Sequence, residues 1–135
     1  MGDLQKVRVL VVDDEEFMCT LMTRILCKAG MEVLAAESGE EALRMLQENG
    51  CDVVVSDVRM GGMSGLDLLK QVKVQYPNIA FVVMTGYADS YTIKDALLQG
   101  ADEYITKPFK TQEATLIVER AYWRIQSNRK QTEST

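Results

Sequence analysis

Val7 to Val12 reads VRVLVV, an almost unbroken aliphatic run that stops abruptly on Asp13 and Asp14. Such a run fits a strand buried on both faces, as in a parallel sheet covered by helices. The pattern recurs along the chain. Asp52 to Ser56 (DVVVS) forms a second such run that stops on Asp57, and Ala80 to Thr85 (AFVVMT) forms a third. Between the runs the period changes. Met18, Leu21, Met22, Ile25, Leu26 and Ala29 fall at helical spacing before Gly30, and Ser38 with Glu41 makes an S-x-x-E capping box that opens a helix through Leu46 toward Gly50. Leu66, Leu69, Val72 and Tyr76 mark a third helix closed before Pro77; Ile93, Ala96, Leu97 and Gly100 outline a fourth. Short strands are expected at Glu32 to Ala36 and Glu103 to Thr106, and a last helix from Thr111 carries Ile117, Val118, Ala121 and Ile125.

Five strand–helix alternations with crossovers of this length predict an α/β fold, a doubly wound parallel sheet with helices on both faces. The chain has 135 residues, enough for one such domain. In these sheets the site lies at the carboxyl ends of the strands. That rule brings Asp13, Asp14, Asp57, Thr85 and Lys107 to one edge. Three carboxylates packed together repel unless a cation joins them. Lys107 supplies one charge, and an oxygen-only donor set suits a hard ion such as Mg2+, with Mn2+ as a substitute. Taken one at a time, each acid has a plainer reading, as a helix-start or strand-end residue.

Absences narrow the chemistry further. The chain contains no histidine, which removes Ser-His-Asp and Cys-His mechanisms and His-based metal sites. A formal charge of -5 argues against a broad phosphate-binding face, so direct nucleic-acid binding is not expected. Cys19, Cys27 and Cys51 include no C-x-x-C and read as reduced core thiols of a cytoplasmic protein. No apolar run is long enough for a membrane span, and Met1 to Lys6 lacks the apolar stretch of a signal peptide.

The motifs VVDDEE at 11–16, VVVSDVRM at 53–60, GMSGLDLL at 62–69, FVVMTGYAD at 81–89 and GADEYITKPF at 100–109 together resemble the receiver domain of bacterial two-component response regulators. The resemblance extends from Val7 to about Arg124 and implies the flavodoxin-like strand order 2-1-3-4-5. It implies Mg2+-dependent phosphoryl transfer from a phosphohistidine on a sensor histidine kinase or phosphotransfer protein, followed by slow hydrolysis, so that an enzyme label is marginal. By this resemblance Asp57 is the phosphoacceptor, and Asp13, Asp14, Asp57 and the backbone carbonyl of Arg59 hold the metal. Thr85, the Gly86 amide and Lys107 contact the phosphoryl group. Lys107-Pro108 matches a peptide that is cis in the family. Tyr104 matches the switch aromatic that follows Thr85 inward, altering the face of helix four, strand five and helix five toward an output domain, an effector or a phosphorylation-dependent homodimer.

The chain also departs from the pattern. Gly61 stands where many relatives carry proline, predicting a freer loop after Asp57. Arg59 and Tyr87 stand where bulk would shield the acyl phosphate from water. Thr111 and Ala114 replace frequent leucines and predict weaker docking of the last helix, whose adjacent Tyr122 and Trp123 cannot share one face. The receiver unit is expected over residues 1–126, with 127–135 a polar tail or the start of an interdomain linker. MTGYAD and DVRM resemble receivers joined to transcriptional activators or cyclic-dinucleotide phosphodiesterases. A flavodoxin would need a phosphate loop where Asp13 to Glu16 stand, a D-x-D hydrolase fails at Glu15, and a degenerate receiver would have lost one of the five key side chains.

Overall fold

The computed structural model describes residues 6–86 and 90–133. Strands and helices alternate: β1 (Arg8–Val12), α1 (Glu16–Lys28), β2 (Glu32–Ala36), α2 (Gly39–Asn49), β3 (Val53–Asp57), α3 (Gly65–Gln75), β4 (Ala80–Thr85), α4 (Ser90–Leu98), β5 (Glu103–Thr106) and α5 (Thr111–Glu133). The five strands form one parallel sheet in the order β2-β1-β3-β4-β5. This is the doubly wound arrangement expected from the sequence. The third strand is displaced by one residue from the sequence reading, so Asp57 is itself the last residue of β3.

Alternation along the buried strands divides the core into two layers. Val9, Val11, Val53, Val55, Val82 and Met84 point to the side covered by Met22, Ile25 and Leu26 of α1 and Ala114, Val118 and Ala121 of α5. Leu10, Val12, Val54, Phe81 and Val83 point to the other side, against Ala42 and Leu46 of α2, Leu68, Leu69 and Val72 of α3, and Ala96 of α4. Each of these larger side chains contributes about 1.5–3 kcal/mol of apolar burial. Both faces of the sheet are therefore covered, and its strand ends are left open to polar chemistry.

Local signals fix the helix starts. The Ser38 hydroxyl accepts from the Glu41 amide at 3.1 Å, while the Glu41 carboxylate accepts from the amide of Glu37, one residue before the position an ideal capping box uses. Ser64 caps α3 by accepting from the Asp67 amide at 3.1 Å. At the other end of the chain α5 continues without a break past position 126 to Glu133. At the start of α5, Ala114 is fully buried in the core and Thr111 is exposed. Tyr122 packs against the core, and its neighbour Trp123 is 57% exposed. Cysteine placement is mixed: Cys19 is buried and Cys51 half-buried, but Cys27 is exposed, a correction to the core reading. It follows Leu26 in α1, and the helical turn carries it off the buried stripe. Burial pushes the Cys19 thiol up to about 11 and the Cys51 thiol up to about 12, so both stay protonated at neutral pH.

Candidate functional site

The register of the sheet assembles the site. Val12 is paired with Ser56, Asp57 with Met84, and Thr85 with Thr106, so the residues at or just beyond these pairs emerge together at the carboxyl edge. Backbone bonds carry the pairing one step further: the Asp13 amide donates to Ala36 and the Lys107 amide donates to Thr85. Asp13, Asp57, Thr85 and Lys107 are thus placed by the strands themselves.

Asp13 is completely buried, and its Oδ1 accepts from the Glu15 amide at 2.9 Å. Lys107 Nζ lies 3.4 Å from Asp13 Oδ2 and 3.3 Å from Asp57 Oδ1. Both distances are long beside the 2.8 Å pair between Lys73 and Asp102, which serves structure by joining α3 to the start of β5. One ammonium is shared between two carboxylates and satisfies neither closely. Burial lifts the Asp57 carboxyl above its ordinary value; Lys107 opposes that rise and Asp13 adds to it.

Asp14 is exposed and completes a cluster in which carboxylate oxygens of Asp13, Asp14 and Asp57 lie within 4.8 Å of one another. Three acids and one lysine leave two negative charges in excess. The donor set contains oxygen only, as Mg2+ requires, and the cluster opens into a cavity of about 410 Å³ lined by Asp14, Glu15, Asp57, Val58, Arg59, Thr85, Gly86 and Lys107. A dication and a phosphoryl-sized group fit both its charge and its lining.

Each residue singled out from the sequence has a definite place. Thr85 is buried on the cavity wall, Gly86 is exposed beside it, and Arg59 extends to solvent from the loop after Asp57. The Lys107-Pro108 peptide is cis. Tyr104 is 39% exposed on β5, paired in register with Val83. Tyr87 lies outside the described residues. The contacts of two glycines were not legible in the sequence. A Cβ at Gly65 would overlap the Asp57 carbonyl oxygen, so this glycine lets α3 begin against the end of β3. Its amide donates to the Val58 carbonyl at 2.9 Å, fastening the loop after Asp57. The helix-opening S-G after a Gly-rich stretch was the available signal. The second position is Gly61, whose amide donates to Asp14 Oδ2 at 3.0 Å, where the sequence suggested only added freedom.

Residues 9–119 match the family model described as "Response regulator receiver domain". The chain belongs to the response regulator receiver family. It is 41% identical over 118 residues to the DNA-binding transcriptional regulator NtrC of Escherichia coli K12, covering 87% of this chain and 25% of NtrC. Its identity to the transcriptional regulatory protein ZraR of the same organism is 39% over 112 residues, 82% of this chain and 25% of ZraR. This receiver chain therefore spans about a quarter of the length of the curated relatives it matches. Among solved structures, a receiver domain from Clostridium thermocellum superimposes with a TM-score of 0.82 at 35% identity, covering 87% of this chain and 95% of the other. NtrX from Brucella abortus, in complex with ADP, superimposes with a TM-score of 0.93 at 30% identity, covering 97% of this chain and 30% of NtrX. Both agree with the strand order found here, and no described helix is long and apolar enough to cross a membrane.

Proposed function

We propose that this receiver accepts a phosphoryl group on Asp57 from the phosphohistidine of a cytoplasmic sensor kinase or phosphotransfer protein. The observation that carries the reading is the under-neutralised cluster: Asp13, Asp14 and Asp57 within 4.8 Å, with one lysine shared between two of them. An Asp57 carboxylate oxygen attacks phosphorus in line, the new O–P bond forms as the P–N bond to imidazole breaks, and the freed histidine stays with the donor. Lys107 neutralises charge on the transferring oxygens, and the Thr85 hydroxyl and Gly86 amide are the donors on the cavity wall. Asp13, Asp14, Asp57 and the Arg59 carbonyl would hold Mg2+, which would supply charge neutralisation at the phosphoryl oxygens when bound.

The lifetime of the acyl phosphate is governed by water access past Arg59, which lines the cavity. Phosphorylation draws Thr85 toward the new oxygens and Tyr104 inward, changing the α4–β5–α5 face that an output domain, an effector or a second copy reads. Ser127 to Thr135 then serves as the start of an interdomain linker. NtrC-like and ZraR-like relatives make a transcriptional output the reading favoured for a longer protein. The test is intact mass after incubation with acetyl phosphate and Mg2+. A single phosphoryl adduct is expected, lost without Mg2+ and lost in Asp57→Asn; no adduct, or one that survives that substitution, overturns the proposal.

A further inference from the structure

Asp14 is the exposed member of the carboxylate cluster, and among the described residues its hydrogen-bond donor is the backbone amide of Gly61, 3.0 Å from Oδ2. The bond joins the end of β1 to the loop between β3 and α3, across 47 residues of sequence. A proline at this position, as in many relatives, has no N–H to give. We infer that Gly61 is a positioning residue for the metal: its amide fixes the Asp14 carboxylate and holds the 59–61 segment beside it.

The physical argument starts from rotamer freedom. An exposed aspartate samples several rotamers, and a ligand that must be ordered on binding costs affinity. The Gly61 bond occupies one carboxylate oxygen and leaves the other for a cation, the usual arrangement when an outer hydrogen bond orients a metal-binding carboxylate. Arg59, whose carbonyl is the proposed backbone ligand, lies two residues from Gly61. Fastening Gly61 to Asp14 thus joins two proposed ligands, from the segments that follow β1 and β3, in one closed loop. The same bond ties metal occupancy to the conformation of the acceptor loop.

This inference rests on the metal-dependent reading above, and the experiment separates the two. Mg2+ affinity is measured by titration calorimetry on the full chain for wild type, Gly61→Pro and Gly61→Ala, with circular dichroism melts to show that each is folded. Gly61 is not among the positive-φ glycines, and a Cβ there lies 3.9 Å from Asp14 Oδ2 in ordinary contact, so alanine keeps the N–H without strain. The expected result is about tenfold weaker Mg2+ binding in Gly61→Pro, with Gly61→Ala recovering most of the loss. In the metal-free protein the residue 61 amide resonance of Gly61→Ala is expected to move upfield when Asp14→Ala is added. Equal affinity in Gly61→Pro and wild type, equal loss in both variants, or an amide resonance indifferent to Asp14→Ala overturns the inference. Wild type that takes up no Mg2+ overturns the metal-dependent reading and, with it, the role given to Gly61.

Discussion

Asp57 and Glu103 are acids buried to the same extent, each 8% exposed, at opposite ends of strands in one sheet. Burial raises the pKa of both, yet the net shifts have opposite sign. For Glu103, burial is the largest single contribution, but it is outweighed by two arginines of α5. Arg120 grips both carboxylate oxygens at 2.8 Å and Arg124 adds a contact at 2.7 Å, leaving the carboxyl below its ordinary value. Asp57 has half of one lysine, and its carboxyl stays raised. Glu103 is a finished ion pair that clasps α5 to β5. Asp57 is an unfinished one, and incomplete neutralisation is what leaves room for a further cation and a reactive oxygen.

Removing the arginines should make Glu103 resemble Asp57. The double variant Arg120→Ala/Arg124→Ala leaves a buried carboxylate without a partner and is expected to cost about 2–3 kcal/mol at neutral pH, read from urea unfolding. Both arginines are half exposed, which brings the loss below the ~3–5 kcal/mol of a fully buried pair. A loss below about 0.5 kcal/mol would mean the clasp is ornamental. The converse change is smaller and opposite in sign. Asp57→Asn removes an under-neutralised charge and should stabilise the metal-free protein by about 1 kcal/mol, the trade of stability for function found at reactive sites. Destabilisation by that substitution would break the contrast.

The smallest effect is in acid, where both advantages should fade for different reasons. Asp57 has a folded pKa above its unfolded value of 3.8, so the native state binds more protons in that window and stability falls as pH rises through it. The gain from Asp57→Asn therefore shrinks as pH drops toward 3.8. Glu103 has a folded pKa below 4.5; its stabilising contribution is complete above 4.5 and is lost as pH falls through the folded value. The cost of Glu103→Gln should shrink over that lower range. Unfolding free energies of these two variants from pH 7 downward check the signs, and an Asp57→Asn advantage that grows on acidification would reverse the assignment.

The legible parts of this chain were those written in local pattern. Aliphatic runs marked β1, β3 and β4, the alternation with helices placed the short β2 and β5, and the strand ends gave Asp13, Asp57, Thr85 and Lys107 their common edge. Contacts made across the fold were not legible. Nothing in the sequence around Glu103 announces Arg120 and Arg124, because the pairing depends on how α5 crosses β5. Cys27 sits one residue from a core leucine and faces water, a difference set by helix phase. Gly61 was visible as a departure, but its bond to Asp14 belongs to the closed loop and not to either residue alone.

The placement of β1 between β2 and β3 has a consequence for synthesis. A ribosome releases Asp13 first and Asp57 later, but the two become neighbours only when β3 docks on β1. Lys107 follows from the end of the last strand, after β4 has supplied Thr85. No shorter product of translation holds Asp57, its acid neighbours and Lys107 together. The carboxylate cluster and its lysine are therefore complete only when nearly the whole domain has been made.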